Sequence, residues 1–155
     1  MVGIYYPLAS SLFANGIFAG LGCSMNFVSV PCIRASSDPL SVFATNLKKA
    51  AKIGIITSVV GGASHLYVWY RTGNPISLFN GILSFAIVPF TILFIKPLND
   101  TMLRMHSEKS KDSRKIAMLV DKWNSRQWVR TIAGTIVFVI NINQCLGLGC
   151  YTLWN

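Results

Sequence analysis

Residues 50–95 read AAKIGIITSVVGGASHLYVWY, RTGNP, ISLFNGILSFAIVPFTILFI. Two apolar runs, Ala50–Tyr70 and Ile76–Ile95, flank a short link holding Arg71, Gly73 and Pro75. Each run is long enough to cross a hydrocarbon core of roughly 30 Å as a helix. Gly and Pro make the link a tight turn. The segment therefore reads as a helical hairpin through a bilayer. Working outward, Leu8–Val30 precedes it and about Thr131–Thr152 follows it. Both are apolar runs of similar length. The expected architecture is all-α, an integral membrane four-helix bundle, with residues 1–155 as a single domain.

Charge orients the bundle. Of the 14 Lys and Arg residues, all but Arg71 fall on the side away from the hairpin turn. Basic connections stay cytoplasmic. Both termini are thus expected in a lumen or outside the cell, with the endoplasmic reticulum the default compartment for a eukaryotic protein. The chain is 52% hydrophobic and 12% charged, well below the roughly 25% charged residues of a soluble domain. Its net charge of +9 suits anionic lipid headgroups and no nucleic acid is expected as a partner. Tyr5, Tyr6, Trp69, Tyr70, Tyr151 and Trp154 fall at one set of span ends and Trp123 and Trp128 at the other, as aromatic belts do. Met1–Pro7 holds no Lys or Arg, and the first run exceeds a signal peptide's apolar region. It is expected to remain as a helix. Cys145 and Cys150 could pair on the lumenal side; the plainer alternative is four small apolar side chains within a bundle.

Gly16-Ile-Phe-Ala-Gly20 with Ser24 forms a stripe of small residues in the first span, and Gly54, Ser58, Gly61 and Gly62 form another in the second. Small residues let helices approach closely in lipid, so these two spans are expected to pack on each other; pairing two copies into a homo-oligomer is the other use of such a stripe. Pro31 is expected to end the first span, Asp38-Pro39 to mark a loop, Ser41–Lys49 to lead into the second span, and Pro89 to kink the third. In the cytoplasmic connection Leu98–Arg130, Glu108–Arg114 is charged and expected to be mobile. Beyond it Ile116, Leu119, Val120, Trp123 and Gln127 recur at helical spacing. They predict an amphipathic interface helix leading into the fourth span.

Polar side chains inside a bilayer are costly and mark function. They gather in the lumenal half: Asn15 on the first span, His65 on the second, Asn80 on the third, Asn141, Asn143 and Gln144 on the fourth. At similar depth, they either line one pocket or bridge the helices. His65 is the histidine within a span and the candidate general base, with Asn15, Asn80 and Asn141 as hydrogen-bonding partners and Tyr67 beside it as a substrate contact. No cluster of His, Cys or carboxylates has metal-ligand spacing, so no metal is expected, and no phosphate-binding or dinucleotide motif is present.

Two segments carry a family likeness. Pro89-Phe-Thr-Ile-Leu-Phe-Ile-Lys-Pro97-Leu-Asn99-Asp-Thr-Met-Leu103 is a P-x7-P-x-N-x3-L pattern, and Trp123-Asn-Ser-Arg-Gln127-Trp-Val-Arg130 is W-x3-Q-x2-R. With a Gly-rich first span ending in Val30-Pro31, the chain resembles the anthrone oxygenase-like family of small four-span membrane proteins. The resemblance implies oxidation of a hydrophobic phenolic or polyketide-like substrate, with molecular oxygen as co-substrate and no cofactor. A base would remove an acidic methylene proton, and the enolate would react with oxygen in a dry pocket. The motifs point to Asn99, Trp123, Gln127 and Arg130 as substrate-binding residues; the depth of the polar side chains points instead to His65 with Asn15, Asn80 and Asn141 for proton transfer. The rival reading is a non-catalytic accessory or assembly subunit of a larger membrane complex.

Overall fold

The computed structural model describes residues 2–153, and side chains over residues 4–147. Every described element is helical. Helix α1 (Val2–Ser24) runs through a five-residue π turn, Met25–Ser29, into α2 (Val30–Ala35). Helix α3 (Pro39–Thr72) turns back, α4 (Pro75–Phe90) continues through a second π turn, Thr91–Ile95, into α5 (Lys96–Ser107), and α6 (Ser113–Leu153) closes the bundle. Four continuous helical rods result, Ile4–Ala35, Pro39–Thr72, Pro75–Ser107 and Ser113–Gly147, each long and apolar enough to cross a membrane. The chain is a multi-pass membrane protein.

The rods outrun the apolar segments at the basic end. Pro31 does not stop the first one. A proline inside a helix removes a hydrogen bond and pushes its ring against the carbonyl four residues back. Here a π turn, which widens the helix, ends two residues before Pro31, and the other ends two residues before Pro97. The wide turns absorb both clashes, and Pro89 lies inside α4 just ahead of the second. Ser41–Lys49 is likewise part of α3 rather than a separate lead-in.

True turns are few and chemically explicit. At the hairpin tip Gly73 adopts φ +69°, a left-handed conformation that favours glycine. Asn74 Oδ1 then accepts from Ile76 N at 2.9 Å to start α4. Asp38 caps α3 by accepting from Ser41 N at 3.1 Å. Asp112 accepts from Lys115 N at 3.0 Å at the head of α6.

The interior has two layers. At the basic end lies a compact apolar core containing Val30, Ile33, Phe43, Ile95, Met102, Val120 and Trp123. The Phe43 and Trp123 rings meet edge to face at 5.4 Å. The stripe Ile116, Leu119, Val120, Trp123 and Gln127 is buried, as its spacing predicts. It packs on protein, however, and is continuous with the fourth rod. Toward the hairpin tip and the termini the pattern inverts. Ile56, Val60, Phe79, Ile82, Ile132 and Val139 point outward, and small and polar residues fill the inside. Helices α1 and α3 pack together as expected, but not through Gly16 and Gly20. Gly16 faces Phe138 of α6, and Gly20 faces nothing within 4 Å. The close approach comes from the α3 side, where Asn15 fills the space that a side chain at Gly61 would need.

Candidate functional site

The polar residues of the half near the termini are brought together in pairs. Asn15 Nδ2 lies 2.9 Å from His65 Nε2, joining α1 to α3. With the amide donating, Nε2 accepts and the ring proton sits on Nδ1, which has no partner among the described residues. Asn141 Nδ2 donates to Ser11 Oγ at 2.9 Å, joining α6 to α1. Asn80 Nδ2 donates to Gln144 Oε1 at 3.3 Å. Gln144 Nε2 in turn donates to Ser77 Oγ at 3.0 Å, joining α4 to α6. His65, Asn80, Asn141, Ser11 and Ser77 are each 0% exposed. These are bridges between helices, each worth about 0.6–2 kcal/mol in lipid. Asn143 is exposed instead. Tyr67 also turns outward, its hydroxyl accepting from Arg71 Nη1 at 3.1 Å. The Cys145–Cys150 pairing, Tyr151 and Trp154 lie outside the described side chains.

The motif residues meet elsewhere. A cavity of about 130 Å³ opens where all four rods pass one another, just above the apolar core, and Asn99, Trp123, Gln127 and Arg130 all line it. Their convergence follows from local structure. The second π turn and Pro97 bring Asn99 round to α6, where its Oδ1 accepts from Trp123 Nε1 at 2.9 Å. Trp123, Gln127 and Arg130 follow at helical spacing on one face of α6. Arg130 Nη1 donates to Gln127 Oε1 at 3.3 Å, and its guanidinium carbon stands 5.5 Å from the centre of the Phe18 ring, a cation–π distance.

Arg130 decides the electrostatics. Among the described residues no carboxylate pairs with it: the ion pairs are Arg34–Asp121, Lys96–Asp100 and Arg104–Glu108, all on the basic end. Arg130 Nε also has no partner among the described residues. A cation withdrawn from water without a counter-ion is costly, and its planar fork fits an oxyanion. The rest of the lining is mostly apolar, including Phe18, Leu21, Ile87 and Ile95, with the hydroxyl residues Ser58 and Thr91 among it. Ile55 and Ile92, 54% and 55% exposed, form the outer wall between α3 and the second π turn. That wall lies on the outer surface of the bundle.

His65 does not line this cavity. It lies two helical turns beyond Ser58, the cavity residue of α3 closest to it in sequence, a rise of about 10 Å. Two cavity residues escaped sequence reasoning. Gly54 and Ser58 were legible only as a smooth helix surface. In the fold, a Cβ on Gly54 would stand 3.2 Å from Arg130 Nη2. Asn26, in the first π turn, was also missed. It accepts from Thr131 Oγ1 at 2.5 Å and donates to Asn124 Oδ1 at 2.9 Å, fixing α6 on either side of Gln127.

Comparison with known proteins gives one match. A family model described as anthrone oxygenase covers residues 40–140, well over half of the chain. The matched region includes Asn99, Trp123, Gln127 and Arg130, together with Gly54, Ser58, His65 and Asn80; Asn15 and Asn141 fall outside it. No curated protein and no solved structure matches.

Proposed function

The chain belongs to the anthrone oxygenase family, and on that premise we propose that it is a membrane-embedded oxygenase whose reacting ring binds in the cavity beside Arg130. The observation that carries this reading is a guanidinium without a carboxylate partner in an apolar cavity lined by both family-like motifs. The substrate class is a hydrophobic phenolic or polyketide-like ring system with a methylene next to a conjugated carbonyl. It enters from the lipid past Ile55 and Ile92. At about 130 Å³ the cavity is smaller than the roughly 300 Å³ of a small drug site. The reacting ring is enclosed and the remainder stays in the lateral opening.

The chemistry needs no added reductant. The methylene loses a proton, giving an enolate whose oxygen sits against Arg130. The enolate carbon passes electrons to molecular oxygen and forms a carbon–oxygen bond; the resulting hydroperoxide loses water and leaves a carbonyl. One oxygen atom ends in the product and the other in water. Arg130 stabilises the enolate oxygen. A unit charge about 4 Å away at an effective dielectric near 20 contributes about 4 kcal/mol, enough to favour ionisation roughly a thousandfold. No imidazole or carboxylate lines the cavity among the described residues, so the proton leaves to solvent species at the basic end. Trp123 and Asn99 hold the floor, and Gln127 orients the guanidinium. The basic end faces the cytoplasm in this reading, and the termini face a lumen or the outside.

The test is oxygen uptake with anthrone by the detergent-solubilised chain. Arg130→Gln should lower kcat/KM by about a hundredfold or more, with Arg130→Lys in between. Unchanged turnover in Arg130→Gln would remove the cavity from the reaction.

A further inference from the structure

We propose that the turns at the basic end form a binding site for a phosphate monoester, separate from the Arg130 cavity. A second cavity, of about 1170 Å³, opens there between the α2–α3 turn and the α5–α6 turn. It shares no lining residue with the first. Ile33, Leu40, Ile116 and Val120 bring the apolar core to its wall. Arg34, His106, Lys109 and Lys111 border it, and Asp38 and Asp121 are the carboxylates of its lining. Both carboxylates are already engaged. Asp38 Oδ1 accepts from Ser41 N to cap α3, and Asp121 pairs with Arg34 Nη2 at 2.5 Å. The acids of the α5–α6 turn are engaged too, Glu108 with Arg104 at 3.9 Å and Asp112 with Lys115 N. Lys109 and Lys111 form no ion pair among the described residues, and the Arg34 fork keeps donors beyond Nη2.

The backbone singles out Lys109. Helix α5 ends in a paired closure: Lys109 N donates to His106 O at 3.1 Å and Ser110 N to Met105 O at 3.0 Å. Such a closure holds one residue in the left-handed region, where helices most often use glycine. Here that residue is Lys109, at φ +51°, a conformation costly for a residue with a side chain. Strain of this kind gathers at ligand clamps, and here it sets an ammonium group at the rim of the cavity. A phosphate monoester suits these donors. It carries about two negative charges and three strong acceptor oxygens, for the guanidinium, the ammonium groups and a hydroxyl. Ser36 Oγ accepts from Asp38 N at 3.0 Å and keeps its own proton to donate. The volume exceeds the roughly 300–1,000 Å³ of ordinary ligand sites. It therefore holds more than a bare ion: the phosphate carries an organic body that lies against the apolar wall. A lipid headgroup and a soluble phosphate ester share this chemistry.

The test follows the Tm of the full chain in phosphatidylcholine nanodiscs. Glycerol 3-phosphate is titrated in one arm, and the phosphatidate content of the nanodisc is raised in the other. A ligand that binds the folded chain raises Tm. A rise in the first arm identifies a soluble ester as the ligand, and a rise only in the second identifies a lipid headgroup. Lys109→Gly carries a signature of opposite signs. Without phosphate its Tm should exceed the parent's, because glycine adopts φ +51° without strain. With phosphate, the amount of probe needed for half the Tm rise should grow about tenfold, the loss of one charged hydrogen bond. Lys49→Gln removes a charge from α3 outside the cavity and should match the parent in both respects. Equal weakening in Lys49→Gln, undiminished binding or a lower phosphate-free Tm in Lys109→Gly, or no rise with either probe overturns the proposal.

Discussion

One added methyl group on α3 should have opposite consequences at two glycines two turns apart. Gly54 borders the cavity. The nearest atom to a new Cβ there is Arg130 Nη2 at 3.2 Å, with Leu21 and Phe18 atoms at 3.9 Å. The first is the far end of a flexible side chain and the others are ordinary contacts. The methyl fits, and replacing a helical glycine by alanine favours the helix by about 1 kcal/mol. But it fills space of order 30 Å³, about one water molecule, in a cavity of about 130 Å³, and it nudges the guanidinium. Misplacement on the order of 1 Å can cost about a hundredfold in rate; a few tenths should cost about tenfold. Gly61 does not line this cavity. A Cβ there runs into Asn15 Oδ1, whose residue holds His65. Gly61→Ala should therefore force α1 and α3 apart and destabilise the chain by about 1–3 kcal/mol. The assays are thermal unfolding in detergent and oxygen uptake normalised to folded protein. Gly54→Ala should match or exceed the parent in Tm while losing about tenfold in kcat/KM. Gly61→Ala should lose Tm and retain turnover per folded molecule at low temperature. Full activity in Gly54→Ala would refute the cavity assignment, since its methyl cannot avoid the space beside Arg130.

Other expectations follow from the same contacts. His65→Leu and Asn15→Leu should each lower stability, and the double variant should lose less than the sum, with a coupling of about 0.6–2 kcal/mol in a double-mutant cycle by thermal unfolding; strict additivity would mean the pair contributes nothing. Trp123→Phe keeps the ring against Phe43 but leaves Asn99 Oδ1 without its donor. It should cost about 1 kcal/mol in chemical denaturation, and Asn99→Ala added to it should cost little more. Asp121→Asn removes an exposed ion pair with Arg34 and should change stability by under about 1 kcal/mol; a larger loss would show that this contact anchors α2 to α6.

The four crossings were legible because a bilayer demands long apolar runs, and Ala50–Ile95 supplies two of them around a turn whose glycine and proline have no other use. The stripe from Ile116 to Gln127 was legible for a similar reason: helical spacing marks a buried face. Periodicity does not say what covers that face. Protein does, because Pro31, which read as a stop, and Pro97 are both passed by π turns that carry the rods beyond the apolar runs. A π turn has no compositional signature in a single sequence, so the extended basic-end core stayed hidden, and with it the cavity above it. The same limit applies to the polar side chains. Depth along each span placed Asn15, His65, Asn80 and Asn141 near one level; the fold pairs Asn15 with His65, but Asn80 with Gln144 and Asn141 with Ser11. Rotation about each helix axis sent Tyr67 and Asn143 outward. It also turned Ser58, read as a smooth spot, to the cavity that Arg130 lines. Motif spacing was the better guide to the cavity, since Asn99, Trp123, Gln127 and Arg130 meet there, whereas the one imidazole within a span lies outside it.

The most direct measurement is an experimental density map of the chain with anthraquinone bound. The ring should lie in the cavity against the Arg130 guanidinium, alongside Gly54, its far edge open to lipid past Ile55 and Ile92. Density wedged instead between α1 and α3 at His65, with the Gly54 side empty, would contradict the account.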